Sequence, residues 1–124
     1  MFQGLEHTAI ATPEPETLAQ WYVDTFGFRI VHRYAGNVFL RMPNGSMLEF
    51  IPSEGERPAL QVKSPGIRHL AIATDDFDAA HAKLKGMDVR FIGDTIHLGD
   101  VRLAFFYDPE ENVLHLIDRP NPLP

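Results

Sequence analysis

The sequence predicts an α+β fold of two tandem modules, each a strand, a helix and three further strands. The first observation is an internal repeat, because Gly4–Thr12 (GLEHTAIAT) aligns with Gly66–Thr74 (GIRHLAIAT). The second is a helical spacing of apolar residues after each copy. The third is that each half ends with a similar apolar segment, Met47–Ile51 in the first and Val113–Ile117 in the second.

The composition excludes several kinds of site and argues against several kinds of partner. The 124 residues suit one compact domain, and the absence of cysteine excludes disulfides, thiolate metal sites and thiol nucleophiles. A net charge of −6 without a Lys/Arg cluster argues against a nucleic-acid partner. No apolar run reaches the roughly 18–20 residues of a membrane span, and the N-terminus lacks a signal-peptide pattern. We therefore expect a cytoplasmic protein without a membrane partner.

The first helix is predicted directly after the first strand. Thr12 is expected to be its N-cap and Pro13 its first residue, where a missing N–H costs nothing. Gly27 suits the position just past its end. The apolar residues at helical spacing, which should form its buried stripe, are Leu18, Trp21, Tyr22 and Phe26.

The second helix repeats this arrangement. Asp75 or Asp76 can be its N-cap, and Gly86 is expected to end it. Its buried stripe is predicted to contain Phe77, Ala80 and Leu84.

Three strands are expected after each helix, with turns at 35–36 and 43–45 in the first module and connections at 94–100 and 108–112 in the second. The whole chain, 1–124, is predicted to be a single domain, with module one at 1–51, a linker at 52–66, module two at 67–118 and a tail at 119–124. The predicted strands are Phe28–Tyr34, Asn37–Met42, Ser46–Ile51, Val89–Gly93, Val101–Tyr107 and Val113–Asp118.

In each module, one side chain that could bind a metal lies on the first strand and another lies on the last strand. Because strand residues alternate faces, His7 shares a face with two small alanines, and His69 does the same in the second copy. Glu49 interrupts the apolar run MLEFI, and His115 interrupts VLHLI. A polar group in such a run is costly unless it is paired or coordinated. We therefore predict that His7, Glu49, His69 and His115 converge on a divalent metal.

The alternative interpretation of each histidine is a hydrogen-bonded core or surface residue. The repeat favours ligation for the pair His7 and His69, because the same position recurs in both modules. For His81, on the second helix and expected to be exposed, the structural interpretation is preferred. The same holds for His32, on the second strand, and for His97, in a polar loop that could cover the site.

The chain resembles the vicinal oxygen chelate superfamily, which contains glyoxalase I, fosfomycin- and bleomycin-resistance proteins, methylmalonyl-CoA epimerase and extradiol dioxygenases. The segments that carry the resemblance are GLEHTAIAT, GIRHLAIAT, the helix end near FGF, NGSMLEF and FFYDPEENVLHLID. They span nearly the whole chain.

The resemblance implies that two βαβββ modules form a cup-shaped, eight-stranded mixed sheet of the glyoxalase-like kind. Ligands from the first and last strands of each module, His7, Glu49, His69 and His115 here, would hold a metal that chelates two adjacent oxygens of a small-molecule substrate. Imidazole and carboxylate ligands suit Zn, Ni, Co, Mn or Fe. The resemblance also implies a homodimer.

This sequence departs from the family pattern at His115, where the last ligand is usually Glu. That substitution counts against glyoxalase I itself and against extradiol dioxygenases. We expect a glyoxalase-like lyase or isomerase, with Glu49 moving a proton, and candidates for orienting the substrate are Tyr34, Arg41, Arg102 and Tyr107. Three alternatives stay open: a metal-free binding or resistance protein, a non-haem iron extradiol-type dioxygenase, and a closed structural metal site.

Overall fold

The computed structural model describes residues 1–124 and contains eight strands and two helices. In the first half the elements are β1 (Thr8–Thr12), α1 (Pro15–Phe26), β2 (Arg29–Tyr34), β3 (Asn37–Arg41) and β4 (Met47–Pro52). In the second half they are β5 (His69–Ala73), α2 (Phe77–Gly86), β6 (Phe91–Leu98), β7 (Val101–Tyr107) and β8 (Val113–Asp118).

The strands form two four-stranded mixed sheets, ordered β1-β4-β3-β2 and β5-β8-β7-β6. In each sheet the first and last strands of the module pair in parallel, and the other pairs are antiparallel. The predicted α+β fold with two βαβββ modules is therefore confirmed. The chain divides into two compact units, Met1–Arg57 and Pro58–Pro124, with one module in each. Neither helix is long and apolar enough to cross a membrane.

In the first unit, α1 covers one face of the sheet. Leu18, Ala19 and Tyr22 of the helix are buried, and the Tyr22 and Phe50 rings meet edge to face with centroids 4.9 Å apart. Alternate residues of β3 and β4 complete this core, namely Val38, Leu40, Leu48 and Phe50. Burial of such a face supplies most of the stabilisation of a short helix.

In the second unit, α2 covers the equivalent face. Phe77 and Leu84 are its buried residues. The buried sheet residues on the two central strands include Ala104, Phe106, Leu114 and Leu116. Both modules thus bury one sheet face against their own helix. We call the opposite face, which carries Glu49 in the first sheet and His115 in the second, the site face.

The start of α1 differs from the prediction. The helix begins at Pro15 with Glu14 at the N-cap, two residues later than expected. Thr12 is fully buried, and its hydroxyl accepts the N–H of Glu14 at 3.0 Å. That hydrogen bond forms a short turn before the helix, so Pro15 takes the first-turn position that suits proline. The predicted end is confirmed, because Gly27 has φ +81° and donates its N–H to the Val23 carbonyl.

Strand β6 is longer than the sequence predicts. Residues 94–98, expected in a connection, continue the strand beyond an irregularity in register between Ile92 and Ile96. Gly93 has φ +71° there, a conformation that glycine adopts at bulges without steric cost. His97 therefore lies on a strand, paired with Arg102, and not in a loop.

Candidate functional site

All four predicted ligands lie on the site faces. Glu49 stands between Ala9 of β1 and Phe39 of β3 in register, and His7 immediately precedes β1. In the second sheet, His115 stands between Ala71 of β5 and Phe105 of β7. His69 is the first residue of β5. The small alanines leave the faces beside the histidines open.

The first candidate pair is His7 and Glu49. The His7 Nε2 atom lies 3.4 Å from Glu49 Oε1. The other ring nitrogen, Nδ1, is 2.9 Å from the carboxylate of Glu6, and Asn37 donates from Nδ2 to Glu49 Oε2 at 3.1 Å. The Glu49 side chain is only 13% exposed, against 33% for His7. Both groups are therefore oriented by neighbours before any ligand binds.

The hydrogen bonds of this pair fix which atoms remain free. Both neighbours of His7 are carboxylates, which only accept hydrogen bonds. The contact at Nδ1 is the shorter one, at 2.9 Å, so we assign the proton of a neutral His7 to Nδ1, toward Glu6, which leaves the lone pair of Nε2 facing Glu49. Two acceptors then face one another, an arrangement that a cation between them stabilises. Two ligands about 2.1 Å from a tetrahedral metal lie roughly 3.4 Å apart. The donor set and spacing of His7 and Glu49 fit a divalent ion.

The second candidate pair is His69 and His115, whose ring centroids are 4.6 Å apart. His115 is only 5% exposed, and its Nδ1 donates to the Leu116 carbonyl at 3.0 Å. Burial lowers the pKa of His115 below its ordinary value, and the nearby His69 lowers it further, although the hydrogen bond to Leu116 opposes the shift. A neutral imidazole with Nδ1 protonated keeps Nε2 free, which is the state that binds a metal.

Two phenylalanines occupy equivalent positions beside the pairs. The Phe39 ring meets His7 edge to face at 5.5 Å, and the Phe105 ring meets His69 in the same way at 5.5 Å. Phe105 also contacts His115, with centroids 4.8 Å apart. Each phenylalanine is the register partner of the ligand on the last strand of its module. They hold the imidazoles in place and form an apolar surround for them.

Four residues of the site were not predicted from the sequence, namely Phe39, Phe105, Glu6 and Asn37. Glu6 could have been predicted from its position next to His7, because a carboxylate beside a ligand histidine can orient the imidazole ring. The two phenylalanines could have been found by pairing the last two strands of each repeat in register. Asn37 had no local signal, since its contact with Glu49 depends on a residue twelve positions away.

The structure brings the four predicted ligands together as two pairs, one in each unit. No three His, Asp or Glu side chains form a group that could hold a metal within the chain. Convergence of all four on one ion therefore stays a prediction.

Three of the four candidates for orienting a substrate lie on a site face, and the fourth lies on the helix side of its sheet. Arg41 and Tyr34 lie on the site face of the first sheet, and Tyr107 lies on that of the second, by their register partners. Arg102 lies on the helix side, with its guanidinium 4.6 Å from the Phe77 ring and 3.0 Å from Asp78. Arg102 is thereby removed as a candidate, because it supports α2.

The remaining histidines have structural neighbours. His81 is half-buried rather than exposed, and it stacks on Phe91 with centroids 4.4 Å apart. His32 is exposed, and its ring lies 5.8 Å from that of Phe39 on the site face.

Paired βαβββ modules with imidazole and carboxylate side chains at matching strand positions define a class of small metal-binding or ligand-binding proteins. The profile of the Glyoxalase/Bleomycin resistance protein/Dioxygenase superfamily matches residues 4–116. The chain belongs to this superfamily. It is also 31% identical to the uncharacterized protein YaeR of Escherichia coli (strain K12), over 93% of this chain and 95% of that one.

Solved structures of similar fold carry different functional names. The chain is 25% identical to Oxidase ChaP-H2, with a TM-score of 0.76 over 97% of this chain and 96% of that one. A glyoxalase/dioxygenase from Nostoc punctiforme gives a TM-score of 0.80 at 17% identity, over 96% and 92%. The fosfomycin resistance protein FosX from Mesorhizobium loti gives 0.70 at 17% identity, over 96% and 94%. At these low identities the last two show the fold alone.

Proposed function

We propose that the protein is a divalent-metal-dependent enzyme that binds two adjacent oxygens of a small oxygenated molecule and acts as a glyoxalase-like lyase or isomerase. The observation that carries this proposal is the His7–Glu49 pair, in which the free nitrogen faces a carboxylate oxygen at 3.4 Å. A second ligand-type pair, His69 and His115, stands at the matching position of the other module.

The metal would be held by His7, Glu49, His69 and His115. The two pairs would complete one site either within a chain or between two chains of a homodimer, which is the state we propose. Zn, Ni, Co, Mn and Fe are the ions that suit this set of nitrogen and oxygen ligands. We further propose a cytoplasmic location, with no nucleic-acid or membrane partner.

The bound ion would polarise a carbonyl oxygen of the substrate as a Lewis acid. Glu49 is the group that we assign to proton transfer. Its Oε2 accepts a hydrogen bond from Asn37, so Oε1 would leave the ion to take a proton from the carbon beside the carbonyl and return it to a neighbouring atom. Phe39, the register partner of Glu49, would limit the access of water to this carboxylate, whose side chain is 13% exposed.

A second candidate is a non-haem iron oxidase or extradiol-type dioxygenase. It is supported by the 25% identity to a protein named as an oxidase and by the availability of two histidines and a carboxylate, a ligand set used for Fe(II). A third candidate is a metal-free binding or resistance protein, because the superfamily that matches this chain includes bleomycin resistance proteins.

The test is elemental analysis of protein purified without a metal-chelating column or tag. We expect near-stoichiometric divalent metal in the wild type and its loss in Glu49→Gln and His69→Ala. The matched controls are Glu54→Gln and His97→Ala, which change exposed residues of the same types and should keep the metal. Iron would favour the oxidase candidate, and zinc or nickel the lyase or isomerase. Failure of the wild type to bind any divalent ion from a panel would favour the binding protein.

A further inference from the structure

We propose that Arg29 and Arg41 form an anion subsite that binds a carboxylate or phosphate group of the substrate. The position of this group relative to the chelated oxygens rests on the proposed function. The ability of the two guanidinium groups to bind an anion does not depend on it.

The register of the first sheet places the two arginines directly opposite one another on β2 and β3. Their neighbours Ile30 and Leu40 are also paired, and Leu40 is fully buried on the helix side. Because successive strand residues point to opposite faces, Arg29 and Arg41 both point to the site face. Arg41 is also the partner of Met47 on β4, which shares the face of Glu49.

Neither arginine has a carboxylate partner. The Arg41 guanidinium donates to the Met47 sulfur at 3.1 Å, a weak acceptor, and Arg29 has no side-chain partner. Other arginines are neutralised: a carboxylate lies within 2.6 Å of Arg33 and within 3.2 Å of Arg90. Like charges directly opposite one another destabilise a sheet. An anion bound by both guanidinium groups would remove that repulsion and accept charge-assisted hydrogen bonds.

The subsite lies beside the first ligand pair. Met47 and Glu49 are two residues apart on one strand, so Arg41 lies roughly 7 Å along the sheet from the row of Glu49. A fitting substrate therefore carries a negative group within a few bonds of its chelating oxygens. The substrate class is a small hydroxy or oxo compound bearing a carboxylate or a phosphate.

The second module lacks this feature. Tyr107 takes the place of Arg41, since it is the partner of Val113 as Arg41 is of Met47. The guanidinium over the Tyr107 ring, that of Arg90 at 4.3 Å, is paired with Glu111. An anion subsite in one module alone would give the substrate a single orientation at the proposed site.

The test is calorimetric titration of inorganic phosphate and of malonate into protein stripped of metal and dialysed free of chelator. We expect at least one anion to bind the wild type, and to bind Arg29→Gln or Arg41→Gln about tenfold more weakly, with no binding to the double variant. The better-bound anion identifies the substrate group as phosphate or carboxylate. Arg119→Gln, which changes an exposed arginine of the C-terminal tail, should bind as the wild type does.

Thermal unfolding in low salt gives a second measurement. Without an anion, the midpoint of thermal unfolding should be higher in Arg29→Gln than in the wild type. Phosphate or malonate should raise the midpoint of the wild type but not that of the double variant. Equal binding by the wild type and the double variant, or no binding by the wild type, overturns the subsite. Metal content, measured on the same variants before stripping, tests the proposed function separately, because neither arginine is among the predicted ligands.

Discussion

The His7 ring is held from one side by Glu6 at Nδ1, at 2.9 Å, while its Nε2 faces Glu49 at 3.4 Å. A carboxylate behind a ligand imidazole fixes the tautomer and raises the basicity of the free nitrogen. This relationship makes Glu6, an exposed residue ahead of the first strand, part of the proposed site.

Glu6→Gln should weaken metal binding without removing a ligand. The amide loses the negative charge that favours a proton on Nδ1, so we expect the affinity for a divalent ion to fall about 10- to 100-fold. Competition against a chromophoric chelator measures this affinity. Glu54→Gln is the control for loss of one surface charge, and an equal affinity of the two variants would contradict a role for Glu6.

Phe105→Ala should destabilise the second unit and loosen its histidine pair. The half-buried ring contacts both His69 and His115, and its removal should cost about 2 kcal/mol in the free energy of unfolding. Denaturant titration of the metal-free protein measures this cost. Phe105→Leu, which keeps an apolar side chain, should restore most of the stability, and a loss as large as that of Phe105→Ala would show that size alone is not the cause.

The metal-free protein should lose stability as it is acidified, through His115. Burial makes its pKa in the folded state lower than the ordinary 6.5, so the unfolded chain takes up the proton first as pH falls. The contribution of neutral His115 is therefore complete above about pH 6.5 and declines below it, through the folded-state pKa. Unfolding midpoints measured across this range should fall less steeply in His115→Gln. His97→Gln, an exposed histidine, should keep the wild-type dependence, and identical slopes in all three proteins would contradict the assignment.

Asp76→Ala should weaken α2 by loss of its N-cap. The Asp76 carboxylate accepts the N–H of Ala79 at 3.1 Å, and removal of such a cap costs about 1 kcal/mol. Chemical unfolding measures the loss. Asp75→Ala removes an adjacent exposed carboxylate that does not cap the helix, and it should change stability much less; equal effects would show that charge, not capping, matters.

The βαβββ order was predictable because it depends on local patterns. Short segments of sequence are enough to show each of these patterns: the repeat around His7 and His69, the helical spacing of apolar residues, and the alternation in the strands after each helix. The start of α1 was not predicted correctly, because Thr12 serves a buried turn rather than the cap. The end of β6 was missed because a bulge at Gly93 interrupts the alternation that identifies a strand.

The sequence by itself determined the fold class, the family and the faces of the four candidate ligands, because strand alternation and an internal repeat need no long-range information. Only the tertiary structure decided which side chains meet. Strand register joins residues distant in sequence. It brings Asn37 into contact with Glu49, Phe105 into contact with both His69 and His115, and Arg29 opposite Arg41. A shift of one residue would reverse each of these faces, so such contacts follow from the packing of whole sheets and not from any segment read alone.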